Sequence, residues 1–446
     1  MQEGIYATLS KRDKVGIMQF NRTHNIEDLN SGMVGQKIIF GGWVEDLRKL
    51  GKMTFLTVRD VTGLTQVIVK DDNVSKEVEG LTRQSVIRIE GTVQETKARD
   101  FECEVKAEKI DVLANAVHPL PIDPIGRLES NIDNRLNARA LDMRNQRTAS
   151  IFKIRHHVLV SLRKTFTEKK FIEITTPKLI GSASEGGANL FSLPYFDKQA
   201  YLAQSPQLYK EQMTIGLERV YEIASFYRAE KSHTGRHLSE FTSIDIEAAF
   251  MDYTDVMDVL ESLVVDVYKY TAENCKKEQE TLGIEIKAPS VPFERITYSQ
   301  VLEELKAEGE DLKFGDDLLD SHLRIVGKKH PGFFFLTDWP MKLKPFYIRE
   351  KDDNPDISRS FDLQFGFLEL SSGGTRLHNP EKIKERLKEQ GLDPTQFENH
   401  LQAFDWGMPP HAGWGMGLER LLTTLMGIDN VREVILYPRD PDRLTP

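Results

Sequence analysis

The segment His118-Pro119-Leu120-Pro121-Ile122-Asp123-Pro124 sets the first constraint on the fold, with three prolines in six positions. Proline fixes φ and removes a backbone donor, so neither a helix nor a central strand runs through this stretch. The pattern changes across it. Before it, short alternating runs read as strands: Lys37–Val44, Met53–Arg59, Leu64–Val69, Ser85–Val93 and Cys103–Val112. Val61-Thr62-Gly63 supplies a turn between two of them. Five short strands in so few residues predict a small barrel of the OB type, a fold that often binds single-stranded nucleic acid.

After the break the pattern is mixed. Ile151, Ile154, Val158, Leu162 and Phe166 recur at helical spacing, and a second helix is predicted at Tyr253–Asn274. Strands are predicted at Phe171–Thr176, Arg219–Arg228, Ser243–Phe250, Gly332–Thr337, Ser360–Leu370 and Val434–Tyr437. Gly417–Met426 reads as a helix behind a glycine-rich turn. Long helices and strands without regular βαβ alternation predict an α+β domain on an antiparallel sheet. The expected division is an extension at 1–17 with Met18 as an alternative start, a barrel at 18–115, a polar hinge at 116–146 and the α+β domain at 147–446.

The net charge of −10 argues against a generally basic nucleic-acid coat protein. Residues 1–111 carry only −1 of it, so the barrel half is the less acidic part and a local RNA site stays open. Two cysteines, Cys103 and Cys275, make a disulfide scaffold or a zinc site a poor fit and suit a reducing, intracellular setting. No apolar run approaches ~18 residues, so no membrane span is expected.

Five segments carry candidate chemistry. Arg228-Ala229-Glu230 and His237–Glu247 form two strands joined by a charged loop, which brings Arg228, His237 and Phe241 together. An arginine can grip a phosphate with two bonds, and an aromatic ring can stack on a purine. Gly413-Trp414-Gly415-Met416-Gly417-Leu418-Glu419-Arg420 allows close backbone approach to a ligand, with Arg420 in the following helix. Glu369 and Ser372 are oxygen donors suited to Mg²⁺, and Arg376 follows as a carboxylate partner. Gln204–Lys210 and Ser184–Gly187 are polar, turn-prone segments. Each segment alone reads equally as a structural turn or a surface ion pair.

Together, and in this order, they resemble the class II aminoacyl-tRNA synthetases that activate aspartate, asparagine and lysine. The nearest family is aspartyl-tRNA synthetase of the archaeal/eukaryotic type, because only about 120 residues separate Glu247 from Glu369, too few for the large insertion of the bacterial type. The resemblance covers about residues 18–446. It implies ATP-dependent attachment of L-aspartate to tRNA(Asp) through an aspartyl-adenylate, by a cytoplasmic homodimer, and leaves open whether tRNA(Asn) is charged as well.

The resemblance also implies roles. Arg228 and Arg420 are the catalytic arginines, on the α- and γ-phosphates of ATP. Glu230, His237, Leu238, Phe241, Glu369 and Gly417 complete the ATP site, and Glu369 and Ser372 hold Mg²⁺. Glu185, Gln207, Lys210, Asp245, Ser372 and Arg376 take aspartate, with Lys210 and Arg376 expected to face its carboxylate as a cation pair. Arg48, Phe55 and Gln66 meet the anticodon, and Pro177 marks the dimer interface. Glu211 departs from the family, where many members have glutamine. An asparaginyl enzyme is the nearest rival, and a non-catalytic RNA-binding paralogue is the reading from another class.

Overall fold

The computed structural model describes residues 21–181, 190–230 and 235–446. The extension at 1–17 lies outside them. The chain divides between Arg127 and Leu128 into two units.

The first unit is a closed barrel. Its strands are β1 (Lys37–Leu50), β2 (Met53–Arg59), β3 (Leu64–Val69), β4 (Val86–Gln94) and β5 (Glu104–Ala114), in the order β1-β2-β3-β5-β4 with β4 closing on β1. Alternation drives the packing. Leu56 and Val58 of β2 point into a core with Phe40, Val67, Ile87, Ile89 and Val105, whereas Phe55 and Thr57 point outward. β1 runs six residues beyond its expected end at Val44. A register shift at Val44/Asp46 carries it on and sets Arg48 opposite Phe55.

The second unit is built on an eight-stranded sheet. Its strands are β6 (Ile172–Glu173), β10 (Arg219–Tyr227), β11 (Glu240–Ala249), β12 (Glu294–Thr297), β13 (Phe333–Thr337), β14 (Ser360–Phe365), β15 (Leu368–Thr375) and β16 (His411–Gly417). Their order is β12-β13-β14-β15-β16-β11-β10-β6, antiparallel except at the two ends. A small sheet of β7 (Leu179–Ile180), β8 (Ser192–Tyr195) and β9 (Lys198–Leu202) stands apart. Helices α1 (Gln146–Glu168) and α3 (Tyr253–Asn274) bury their apolar stripes against one face of the large sheet. Asn145 caps α1 and Asp252 caps α3, which fixes where each begins.

Period-two alternation separates the two faces of the sheet. Ile244, Ile246 and Ala248 of β11, and Ala412, Trp414 and Met416 of β16, pack under the helices. Ser243, Asp245 and Glu247, and Gly413, Gly415 and Gly417, therefore face the other way. Helix α2 (Gln207–Leu217) lies on that second side, as does α4 (Glu398–Phe404), which packs on α2. Helix α5 (Leu418–Met426) follows β16 directly.

Four expectations change. Gly413–Gly417 is not a turn but the core of strand β16. Ser360–Leu370 is broken by a hairpin at Gly366, whose φ of 55° suits glycine. The segment read as a hinge contains two short helices, Ile132–Asn137 and Arg139–Asp142, that belong to the second unit. Val434–Tyr437 forms no strand. Arg139 explains the last two. Its guanidinium is fully buried, pairs with Asp142 at 2.7 Å, and donates to the carbonyls of Glu433, Ile435 and Leu436 at 2.9–3.1 Å. Those carbonyls are then taken by a side chain rather than by a ladder. Arg139→Ala leaves the three carbonyls unpaired and Asp142 with only Arg135 as its cation, so urea unfolding of the second unit should show a loss of about 3 kcal/mol.

Candidate active site

The second face of the sheet forms the floor of a cleft of about 340 Å³. Each expected residue of the ATP and aspartate sets lines it, apart from Glu185, which lies outside the described residues. β10 ends at Tyr227, and Arg228 and Glu230 follow it. The return strand brings His237, Leu238 and Phe241 back beside them. Arg228 lies over the Phe241 ring at 5.2 Å, and its backbone N–H donates to the Ser239 carbonyl at 2.9 Å. Burial and the Arg420 charge lower the pKa of His237, so its imidazole is neutral.

Arg420 sits in the first turn of α5 and donates to the Glu369 carbonyl oxygen at 2.7 Å. Its charge lies 3.9 Å from the Glu369 carboxylate. Gly417 ends β16 just ahead of it. Ser372 is exposed on β15 and pairs in register with Asp362 of β14. Asp362 was missed by sequence reasoning, although an acid between Phe361 and Leu363 in an alternating strand marks it. Burial pushes its carboxyl up, Lys344 at 3.1 Å pulls it down, and the Glu369 charge pushes it up again. Glu369 and Ser372 are oxygen donors on one wall of the cleft, with Asp362 buried beside Ser372 in the sheet, and a divalent cation would relieve the repulsion between the two acids. That donor set fits Mg²⁺.

Beneath the cleft lies a layer of buried charge. Lys210 Nζ donates to Asp245 Oδ1 at 2.8 Å and to the Trp414 carbonyl at 3.2 Å, and lies 3.6 Å from Glu247 Oε2. Arg376 Nε and Nη2 clasp Glu247 at 2.9 and 3.1 Å. Burial would lower the Arg376 pKa, but Glu247 raises it. The expected unpaired cation pair is therefore corrected: Lys210 and Arg376 already have carboxylate partners, because two bare cations there would not survive desolvation. Arg376 has five donors and spends only one edge on Glu247. Among the described residues its Nη1 bonds to nothing, and the side chain lines the cleft. Gln207 also lines it, from the first turn of α2.

The glycines of β16 make this layer possible. A Cβ at Gly413 would collide with the Ile246 carbonyl and the Glu247 carboxylate, and one at Gly415 would lie 3.0 Å from Asp245 Oδ1. Gly216 in α2 has open space around it. Gly413→Ala should thus cost about 3 kcal/mol by overpacking, and Gly216→Ala should add about 0.5 kcal/mol of helix propensity. Thermal melts of the two variants should move in opposite directions.

Two surfaces lie elsewhere. Phe55 stands on the outer wall of the barrel, outside its core, with Arg48 opposite. Gln66 pairs in register with Thr57 and donates to Glu104 at 2.6 Å, which leaves its carbonyl oxygen as an acceptor. Pro177 is exposed next to the edge strand β6, between exposed Ile172 and Leu179.

Residues 131–441 match the family described as tRNA synthetases class II (D, K and N), and residues 38–113 match the OB-fold nucleic acid binding domain. An aspartate--tRNA(Asp/Asn) ligase from Methanothermobacter thermautotrophicus is 44% identical over 430 residues, covering 95% of this chain and 98% of the relative. One of the same name from Archaeoglobus fulgidus is 44% identical over 424 residues, covering 94% and 99%. Among solved structures, asparaginyl-tRNA synthetase from Pyrococcus horikoshii with asparaginyl-adenylate superposes with a TM-score of 0.89 at 32% identity, covering 96% of this chain and all of that one. Aspartyl-tRNA synthetase from Entamoeba histolytica gives 0.83 at 30%, covering 96% and 94%. With the cleft, the charge layer and the barrel in place, the chain belongs to the class II tRNA synthetases of the D, K and N group.

Proposed function

We propose that the protein is an aspartate--tRNA ligase that joins L-aspartate to tRNA(Asp), and also to tRNA(Asn), through an aspartyl-adenylate. The observation that carries the choice of amino acid is Arg376, buried, locked to Glu247 on one edge and open to the cleft on the other. A side-chain carboxylate accepts from that open edge. The carboxamide of asparagine brings its own NH₂ donors and no charge, so it matches the edge less well. The double tRNA range is the one named for both ligases compared above.

In the first step an oxygen of the aspartate α-carboxylate attacks the α-phosphorus of ATP. The bond to the bridging oxygen breaks, and pyrophosphate leaves. In the second, the terminal ribose hydroxyl of the tRNA attacks the acyl carbon, and AMP and a proton leave. Both steps need positioning and charge neutralisation more than a nucleophilic side chain. Arg228 holds the α-phosphate and Arg420 the γ-phosphate. Phe241 stacks on adenine, while Glu230, His237, Leu238 and Gly417 shape the nucleotide pocket. Glu369 and Ser372, with Asp362 behind them, hold Mg²⁺, which neutralises phosphate charge when bound. Lys210 fixes Asp245 and the floor, and Arg376 takes the side-chain carboxylate. On the barrel, Phe55 stacks on an anticodon base, with Gln66 and Arg48 alongside.

Two copies pair through the exposed edge at Pro177, Ile172 and Leu179, and the enzyme works in the cytoplasm. No helix among the described residues is long and apolar enough to cross a membrane.

Charging assays with labelled aspartate, ATP and Mg²⁺ should load transcripts of both tRNA(Asp) and tRNA(Asn). Loading of the first alone restricts the range, and loading of neither refutes the reading. Arg228→Glu should lower pyrophosphate exchange about 1,000-fold. Phe55→Ala should raise the KM for tRNA about tenfold and leave pyrophosphate exchange unchanged.

A further inference from the structure

Glu211 lies one layer behind the cleft and takes no part in the steps above. The buried face of α2 carries Gln207, Lys210, Glu211 and Thr214. Gln207 and Lys210 line the cleft, and Glu211 does not. One Glu211 oxygen accepts a hydrogen bond from Gln207 Nε2. The other faces His411 Nε2 at 3.4 Å and His400 Nε2 at 3.6 Å.

The partners fix the protonation state. His411 Nδ1 lies 2.8 Å from the Pro409 carbonyl, which can only accept. Nε2 faces a carboxylate, which also only accepts. Both ring nitrogens therefore carry protons, and His411 is an imidazolium. Burial would lower its pKa, but Glu211 holds it raised. Burial would likewise raise Glu211, but the His411 bond and the charges of His400, His411 and Arg376 hold it at about 2. His400 is pushed down by burial. Glu247 and His378 also face the pair, and the Arg376 backbone N–H donates to the His411 carbonyl at 2.9 Å.

An ionised carboxylate makes Gln207 turn its NH₂ toward Glu211. The opposite end of the carboxamide is then its carbonyl oxygen. Among the described residues the Gln207 side chain makes no other hydrogen bond. We propose that Glu211 is a positioning residue: by holding the Gln207 amide nitrogen, it fixes the Gln207 carbonyl oxygen as an acceptor for the α-ammonium of the amino-acid substrate. This rests on the aspartate reading above.

The departure from glutamine at 211 then has a consequence in pH. With glutamine, the 211 carbonyl accepts from Gln207 while the 211 NH₂ must find an acceptor in a neutral His411. Protonation of His411 removes that acceptor and sets a competing donor against the same carbonyl. With Glu211 that competition does not arise, because a carboxylate accepts from both Gln207 and the imidazolium.

The test is pyrophosphate exchange by the full chain, with aspartate and ATP varied and thermal melts as a folding control. Glu211→Leu should raise the KM for aspartate about tenfold and leave that for ATP within about twofold. Glu211→Gln should match the wild type near about pH 7.5, then show an aspartate KM about fivefold higher toward about pH 6, where the wild type stays flat. The proposal is overturned if Glu211→Leu moves both KM values alike or neither, or if Glu211→Gln follows the wild-type profile. If Glu211→Leu does not fold, the pH profile of Glu211→Gln decides alone. A wild type without aspartate-dependent exchange removes the aspartate reading itself, and this proposal with it.

Discussion

The clasp between Arg376 and Glu247 closes only because Gly413 lies opposite Glu247 in the sheet and has no side chain. Breaking such a buried pair from one side costs about 3–5 kcal/mol, since the remaining charge has no water to turn to. The layer therefore acts as a unit. Lys210, Arg376 and His411 face Asp245, Glu247 and Glu211, so positive and negative charges balance beneath the cleft. A balanced layer can stay dry and rigid, and the groups above it keep their directions.

That rigidity matters for the chemistry. Activation of a carboxylate by a nucleotide brings several negative oxygens together, and their placement decides the rate. The cleft is lined by Arg228, Arg420 and the half-engaged Arg376; in the proposed mechanism the first two form the nucleotide end and the third the amino-acid end. The glycines of β16 serve both ends. They admit the charge layer on one strand and lead directly into the helix that carries Arg420.

Much of this was legible in the sequence where local signals agreed with the fold. Strands Met53–Arg59 and Leu64–Val69 appear with their expected bounds, because a turn separates them and alternation points them. Helix Tyr253–Asn274 does too, because Asp252 caps it. The clustering of Arg228, His237 and Phe241 followed from two strands and one loop. Two of the failures share a cause: a partner distant in sequence overrode local preference. Gly413–Gly417 reads as a turn by propensity, but Glu247 and Asp245 require a strand without side chains there. Val434–Tyr437 reads as a strand, but Arg139 takes the carbonyls. The compensation of Lys210 and Arg376 by Asp245 and Glu247 depends on which face of each strand looks into the cleft, which spacing alone does not reveal.

In the proposed mechanism the open edge of Arg376 selects a carboxylate. Pyrophosphate exchange with aspartate or asparagine as the sole amino acid tests it without any tRNA. Exchange should proceed with aspartate, and kcat/KM should be at least about 100-fold lower with asparagine. Equal or better exchange with asparagine would contradict it.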